Sequence, residues 1–259
     1  MLFAPADRIL PQSLGGRPSK LDMPFPLCHF WKNNATMQAL TTTLLILHIF
    51  AGFTALITGG IASATHKGGK GHRRSGKWFF WSMTGVFITA TAIAILKSLA
   101  FLFMVGFFSY YFVVRGYRIL YLKKLGTAQK ATTLDWATMG SALLFGVSLV
   151  TWAFWQIKSG NSFWPVPLVF GLTSIGFALA DIRLFRSGPA TKQHWITGHI
   201  TSMGAGYIST WTAFVVTNVK FLPPVLVWLL PSFIGSILIA QSIRRYSKSG
   251  SASLVVKPA

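Results

Sequence analysis

Seven apolar runs dominate this sequence, and each is long enough to cross a hydrocarbon core. They lie at about 39–62, 77–96, 99–121, 134–157, 163–185, 195–219 and 222–243. A bilayer interior of about 30 Å takes roughly 20 residues of helix. Only helices satisfy their own backbone polar groups within one segment, so a chain with these runs forms a bundle of spanning helices. The expected fold is therefore all-α: a polytopic transmembrane bundle of about seven helices. Composition excludes the soluble alternative. Of 259 residues, 52% are hydrophobic and only 11% charged, with a mean hydropathy of +0.53. Soluble domains carry roughly 25% charged residues.

The charges that remain sit in short loops, and they alternate. Lys67, Lys70, Arg73, Arg74 and Lys77 follow the first run, and Arg115, Arg118, Lys123, Lys124 and Lys130 the third. Arg183, Arg186 and Lys192 follow the fifth, and Arg244, Arg245, Lys248 and Lys257 the seventh. The other loops hold Lys97, Lys158 and Lys220 alone. Seventeen cations against three predict an N-out, C-in topology with the basic loops cytoplasmic. The predicted partners are the bilayer and the anionic lipid headgroups of that face. The net charge of +20 is dispersed over separate loops, and nucleic-acid binding needs one basic face, so nucleic acid is excluded. Protein partners are not legible.

Residues 1–36 fit this map poorly. Arg8, Arg17, Lys20 and Lys32 resist translocation, and the segment is rich in Pro and Gly. It reads as a disordered extension, with Met23 and Met37 as alternative starts and no cleavable signal-peptide pattern. Residues 37–245 form the membrane domain and 246–259 a cytoplasmic tail. Only Lys97 and Ser98 separate the second and third runs, which predicts a tight hairpin. Pro165, Pro167, Pro223 and Pro224 open helices, where a missing N–H costs little, and Pro231 lies inside the seventh. A parallel repeat relating helices one and two to helices five and six is suggested by His72 with Gly76 and His194 with Gly198.

Few residues can carry chemistry. Cys28 is the single cysteine, so no intrachain disulfide or thiolate cluster forms. There is no Glu, and Asp7, Asp22, Asp135 and Asp181 are the only carboxylates. His48 lies near the midplane on a face with Gly52, Ala55 and Gly59, pointing into the bundle. It is read either as a bridge between helices or as a proton relay, ligand or substrate contact. His72, His194 and His199 fall at the cytoplasmic ends of helices two and six and are the candidate haem ligands. A bis-histidine haem needs two imidazoles at matching depth. His48 is roughly 15 Å off the depth of His199 at 1.5 Å per residue, so these two do not share an iron.

Zinc is disfavoured. His194 and His199 are five apart, and no His-x-x-x-His occurs near the end of the chain. Asp135, beside Thr132 and Thr133, reads as a helix cap, and Asp181 as a partner for Arg183, Arg186 or a histidine. The best site expectation is one cytoplasm-facing cavity lined by His72, His194, His199, Asp135 and Asp181. Dinucleotide loops, P-loops, nucleophile elbows and Cys-x-x-Cys are absent, and Gly68-Gly69-Lys70-Gly71 has no preceding strand.

The run His48-Ile49-Phe50-Ala51-Gly52-Phe53-Thr54-Ala55-Leu56 with Gly59, then Lys67-Gly68-Gly69, His72-Arg73 and Gly76-Lys77, resembles the bacterial multi-pass proteins grouped as domain of unknown function 2306. His199-Ile200, Met203, Gly206-Tyr207-Ile208, Thr212-Ala213-Phe214 and Asn218 resemble the second half of its longer members. Gly59-Gly60 stands where the family often has Gly-Pro. The resemblance implies a multi-pass protein of the bacterial inner membrane and assigns no activity. Three functional readings follow from the residues: a redox or haem-binding membrane protein using His72 with His194 or His199, a small-solute or proton transporter using His48, and a structural or accessory membrane protein.

Overall fold

The structure, a computed structural model, describes residues 25–191 and 193–255, with side chains from 35 to 246. The chain divides into two units, 1–42 and 43–259. The described part of the first is the opening of helix α1. Among the described residues seven α-helices form, as the apolar runs predict: α1 Phe25–Ala64, α2 Lys70–Leu96, α3 Ala100–Arg118, α4 Thr133–Lys158, α5 Pro165–Ser187, α6 His194–Asn218 and α7 Pro224–Val255. A single 3-10 turn, Ile119–Tyr121, extends α3. Among the described residues there is no strand. Residues 1–24 of the expected extension lie outside the described residues; 25–36 belong to α1.

Helices α1 to α5 and α7 are long and apolar enough to cross a membrane, which is the architecture of a multi-pass integral membrane protein. Their outward faces carry Ile46, Phe50, Ile57, Ile88, Leu144, Phe154, Phe233 and Leu238, all exposed. In lipid such side chains lie in a solvent of their own polarity. Packing inside relies on small residues instead. A Cβ on Gly171 of α5 would stand 2.7 Å from the Gly146 carbonyl oxygen of α4. At the same seam Ser174 donates a 2.8 Å hydrogen bond to the Ala142 carbonyl. Close backbone approach of this kind is how helices associate where no hydrophobic force acts between them.

α6 differs from its neighbours. Thr, Ser and Gly dilute its apolar content, and it falls short of the six spans by composition. It is nevertheless packed on several sides. It packs on α3 and α7, and Tyr207 fits against Gly59 of α1 and Phe79 of α2. Its Ser202, Thr210 and Thr212 are buried.

The hairpin between α2 and α3 is as tight as its two-residue separation requires. Ser98 takes the left-handed conformation, φ 53°. Leu99 N–H donates to the Ala94 carbonyl at 2.8 Å and Ser98 N–H to that of Ile95 at 3.2 Å. These are the paired bonds of a Schellman C-cap, with serine in the place glycine usually fills. Pro231 is accommodated within α7.

Candidate functional site

Histidines from α2 and α6 meet at the end of the bundle that carries the basic loops. The His72 and His199 rings have centroids 6.1 Å apart and planes at 78°. Each is held from behind. His72 Nδ1–H donates to the Ala62 carbonyl of α1 at 2.9 Å. His199 Nδ1–H donates to the Gly116 carbonyl of α3 at 2.8 Å. A carbonyl only accepts, so both rings carry a proton on Nδ1, and in the neutral tautomer this leaves Nε2 as the acceptor. A backbone carbonyl on Nδ1 is the usual support of a metal-binding imidazole. Both rings are half-buried and border the loops.

The local sequence explains why the rings sit there. α2 begins at Lys70, so His72 is in its first turn. At the end of α1 Lys67 also folds back, its ammonium on the Ala62 and Ser63 carbonyls, so the Ala62 oxygen accepts from both side chains. Partial burial lowers the proton affinity of that ammonium below the ordinary lysine value. On the α6 side, Gly116 lets the backbones close. A Cβ there would stand 2.9 Å from Met203 N and 3.1 Å from Ser202 Cβ.

On the other side of α3 the polar groups are charged and paired. Asp181 of α5 is 3% exposed, and Arg115 of α3 closes on it with Nη2 at 2.7 Å. Arg115 Nε donates to both Asp181 oxygens at 2.8 and 2.9 Å, and Tyr111 O–H to Oδ2 at 2.7 Å. Arg115 Nη1 also donates to Ser202 Oγ of α6. The guanidinium lies 5.4 Å from the Phe177 ring centre. One turn on, Arg118 binds Asp135 through Nε and Nη2, each at 2.9 Å. Asp135 accepts from Thr132 N–H at 2.8 Å, completing a capping box at the start of α4. Between the two pairs lies a cavity of about 20 Å³, lined by Arg115, Arg118, Asp135, Thr138 and Asp181 among others. It has room for roughly one water.

The five residues expected to share one cavity are thus divided. Asp135 and Asp181 border it, while His72 and His199 meet on the opposite side of α3. His194 is held apart from that pair. Its Nε2–H donates to the Leu122 carbonyl at 2.9 Å, and Nδ1 faces the Thr191 carbonyl at 3.2 Å. The partner of Asp181 is Arg115, not Arg183, Arg186 or a histidine. Tyr111, Arg115 and Arg118 were not singled out in the sequence, although their i, i+4, i+7 spacing places them on one helix face.

His48 is a bridge between α1 and α2. The Thr89 hydroxyl donates to the Gly85 carbonyl at 2.7 Å, so its oxygen accepts from His48 Nδ1–H at 3.0 Å. Thr89 lies 17 residues along α2 from His72, roughly 25 Å at 1.5 Å per residue, which keeps His48 out of the histidine pair. Among the described residues no group of three or more His, Cys, Asp or Glu could hold a metal ion. Compared with protein-family models, curated proteins and solved structures, the chain matches none, so the functional reading rests on this geometry alone.

Proposed function

We propose that this chain is a multi-pass membrane redox protein that binds one b-type haem between α2 and α6 through His72 and His199. One observation carries the reading: two backbone-anchored imidazoles with free Nε2 atoms and ring centres 6.1 Å apart. Two imidazoles bound trans to one metal at about 2.0–2.1 Å place their ring centres roughly 6 Å apart. A bare zinc site needs three or four protein ligands, and no such group exists among the described residues. Haem supplies four of its own and asks the protein for two. Helices α2 and α6 would have to part to admit the macrocycle, since the described cavity lies beyond α3 and holds only a water. When bound, the haem would supply one-electron chemistry. The chain's own part would be to fix both imidazole planes through the Ala62 and Gly116 carbonyls, with the Lys67 ammonium held beside them.

The same reading puts the basic loops in the cytoplasm of a bacterium, with the N-terminus outside, in the inner membrane. The kinship with the domain of unknown function 2306 proteins belongs to it and adds no activity. The test is an absorbance spectrum of detergent-purified protein, before and after reconstitution with haem b. A Soret band that disappears in His72→Ala and in His199→Ala, and persists in His194→Ala, is expected. No Soret band after reconstitution removes the proposal.

A further inference from the structure

α2 carries a second ordered surface, on the face turned away from the histidine pair. Lys70, Arg73, Arg74, Lys77, Trp78 and Trp81 are all exposed. At about 100° per residue they fall within an arc of roughly 140°. Opposite them lie Ser75, Phe79 and Met83, the buried face of the same helix, together with half-buried His72. Continued along the stripe, the exposed positions become Ile88 and Ile95, 60% and 64% exposed. One helix face therefore runs from four cations through two tryptophans to aliphatic side chains.

No carboxylate of the described chain can neutralise those cations. Asp135 and Asp181 are the only acidic residues described, and Arg118 and Arg115 hold them. The counter-ions must come from outside the described chain. The order of polarity along the stripe decides what brings them. Phosphate, interfacial and acyl layers follow one another in a bilayer leaflet as Lys and Arg, Trp, and Ile follow one another here. A soluble anion or an acidic protein would account for the first layer only.

We propose that this face of α2 is a binding site for an anionic phospholipid, whose phosphate sits among Lys70, Arg73, Arg74 and Lys77 and whose acyl chains run along Trp81 and Ile88. The site does not depend on haem. It is tested with full-length protein in nanodiscs, by the amount of anionic and of zwitterionic phospholipid kept through detergent extraction. The wild type is expected to keep anionic lipid at least ten-fold over zwitterionic. The variant Lys70→Gln/Arg73→Gln/Arg74→Gln/Lys77→Gln should lose that preference, with its helical circular dichroism and any Soret band unchanged. Lys123→Gln/Lys124→Gln, in another basic loop, should keep it. Equal retention by the four-fold variant and the wild type overturns the site. So does displacement of the lipid by equimolar inorganic phosphate, which would make it a soluble-anion site.

Discussion

The two sides of α3 solve the same packing problem in opposite ways. Toward α4 and α5 the helix presents Tyr111, Arg115 and Arg118, which close on two aspartates. Toward α6 it presents Val113 and Gly116, and what it offers His199 is a backbone carbonyl. On the first side each of these three side chains answers a polar group of the chain. On the second the backbones close at Gly116, Arg115 reaches across only to the Ser202 hydroxyl, and the two imidazoles meet each other. Charge does most of the fastening on the first side, and backbone carbonyls hold the imidazoles on the second.

The sharpest way to break that contrast is to unpair the buried charge. Asp181→Ala leaves the Arg115 guanidinium, 12% exposed, without its carboxylate. A loss of about 3–5 kcal/mol is expected in reversible unfolding in mixed micelles. Replacing both partners, Arg115→Met with Asp181→Leu, should recover most of it, because a buried pair is stabilising chiefly relative to its broken form. If the double variant is as unstable as the single one, the pair is more than a fastening.

Next in size is Gly116→Ala. Its Cβ would meet Met203 N at 2.9 Å, and backbone cannot swing aside as a flexible side chain does. Separation of α3 from α6 should lower stability by about 1–3 kcal/mol and weaken haem retention by His199 as well. Unchanged haem titration in this variant would show that the Gly116 carbonyl does not position the ring. Asp135→Ala removes a cap and an ion pair whose arginine is 26% exposed. Solvent screens that pair, so the expected loss is only about 1 kcal/mol in thermal unfolding. Smallest is Ser98→Gly at the α2–α3 turn, where φ is 53°. It should stabilise by about 0.5–1 kcal/mol, and a lowered melting temperature would contradict the left-handed assignment.

The sequence made the helices legible because apolar length is a local property. It placed their ends less well. α2 starts at Lys70 rather than near 77, since Lys and Arg are good helix formers whose stems extend past an apolar boundary. Asp135 could be read as a cap from Thr132 and Thr133 beside it. Asp181 could not be assigned, because its partner is 66 residues away and α3 had to be packed against α5 first. Arg115 was counted among loop cations, which concealed a side chain that the fold draws inward. Depth matched His72 to His194 with His199 as the alternative partner, and the fold brings His72 to His199, whereas the division between histidines and aspartates follows from how α3 is turned in the bundle, which no local pattern encodes.

The mixed composition of α6 bears on how the protein is made. Six helices can partition into lipid on their own hydropathy as they leave the translocation machinery. α6 is poorly suited to do so alone, with Ser202, Thr210 and Thr212 to shield. Gly204 against Ile239 and Gly235 against Ile208 join it closely to α7. The two therefore pack as one closely joined pair. His199 stands on α6, so the histidine pair depends on the packing of α6 against α3 and α7.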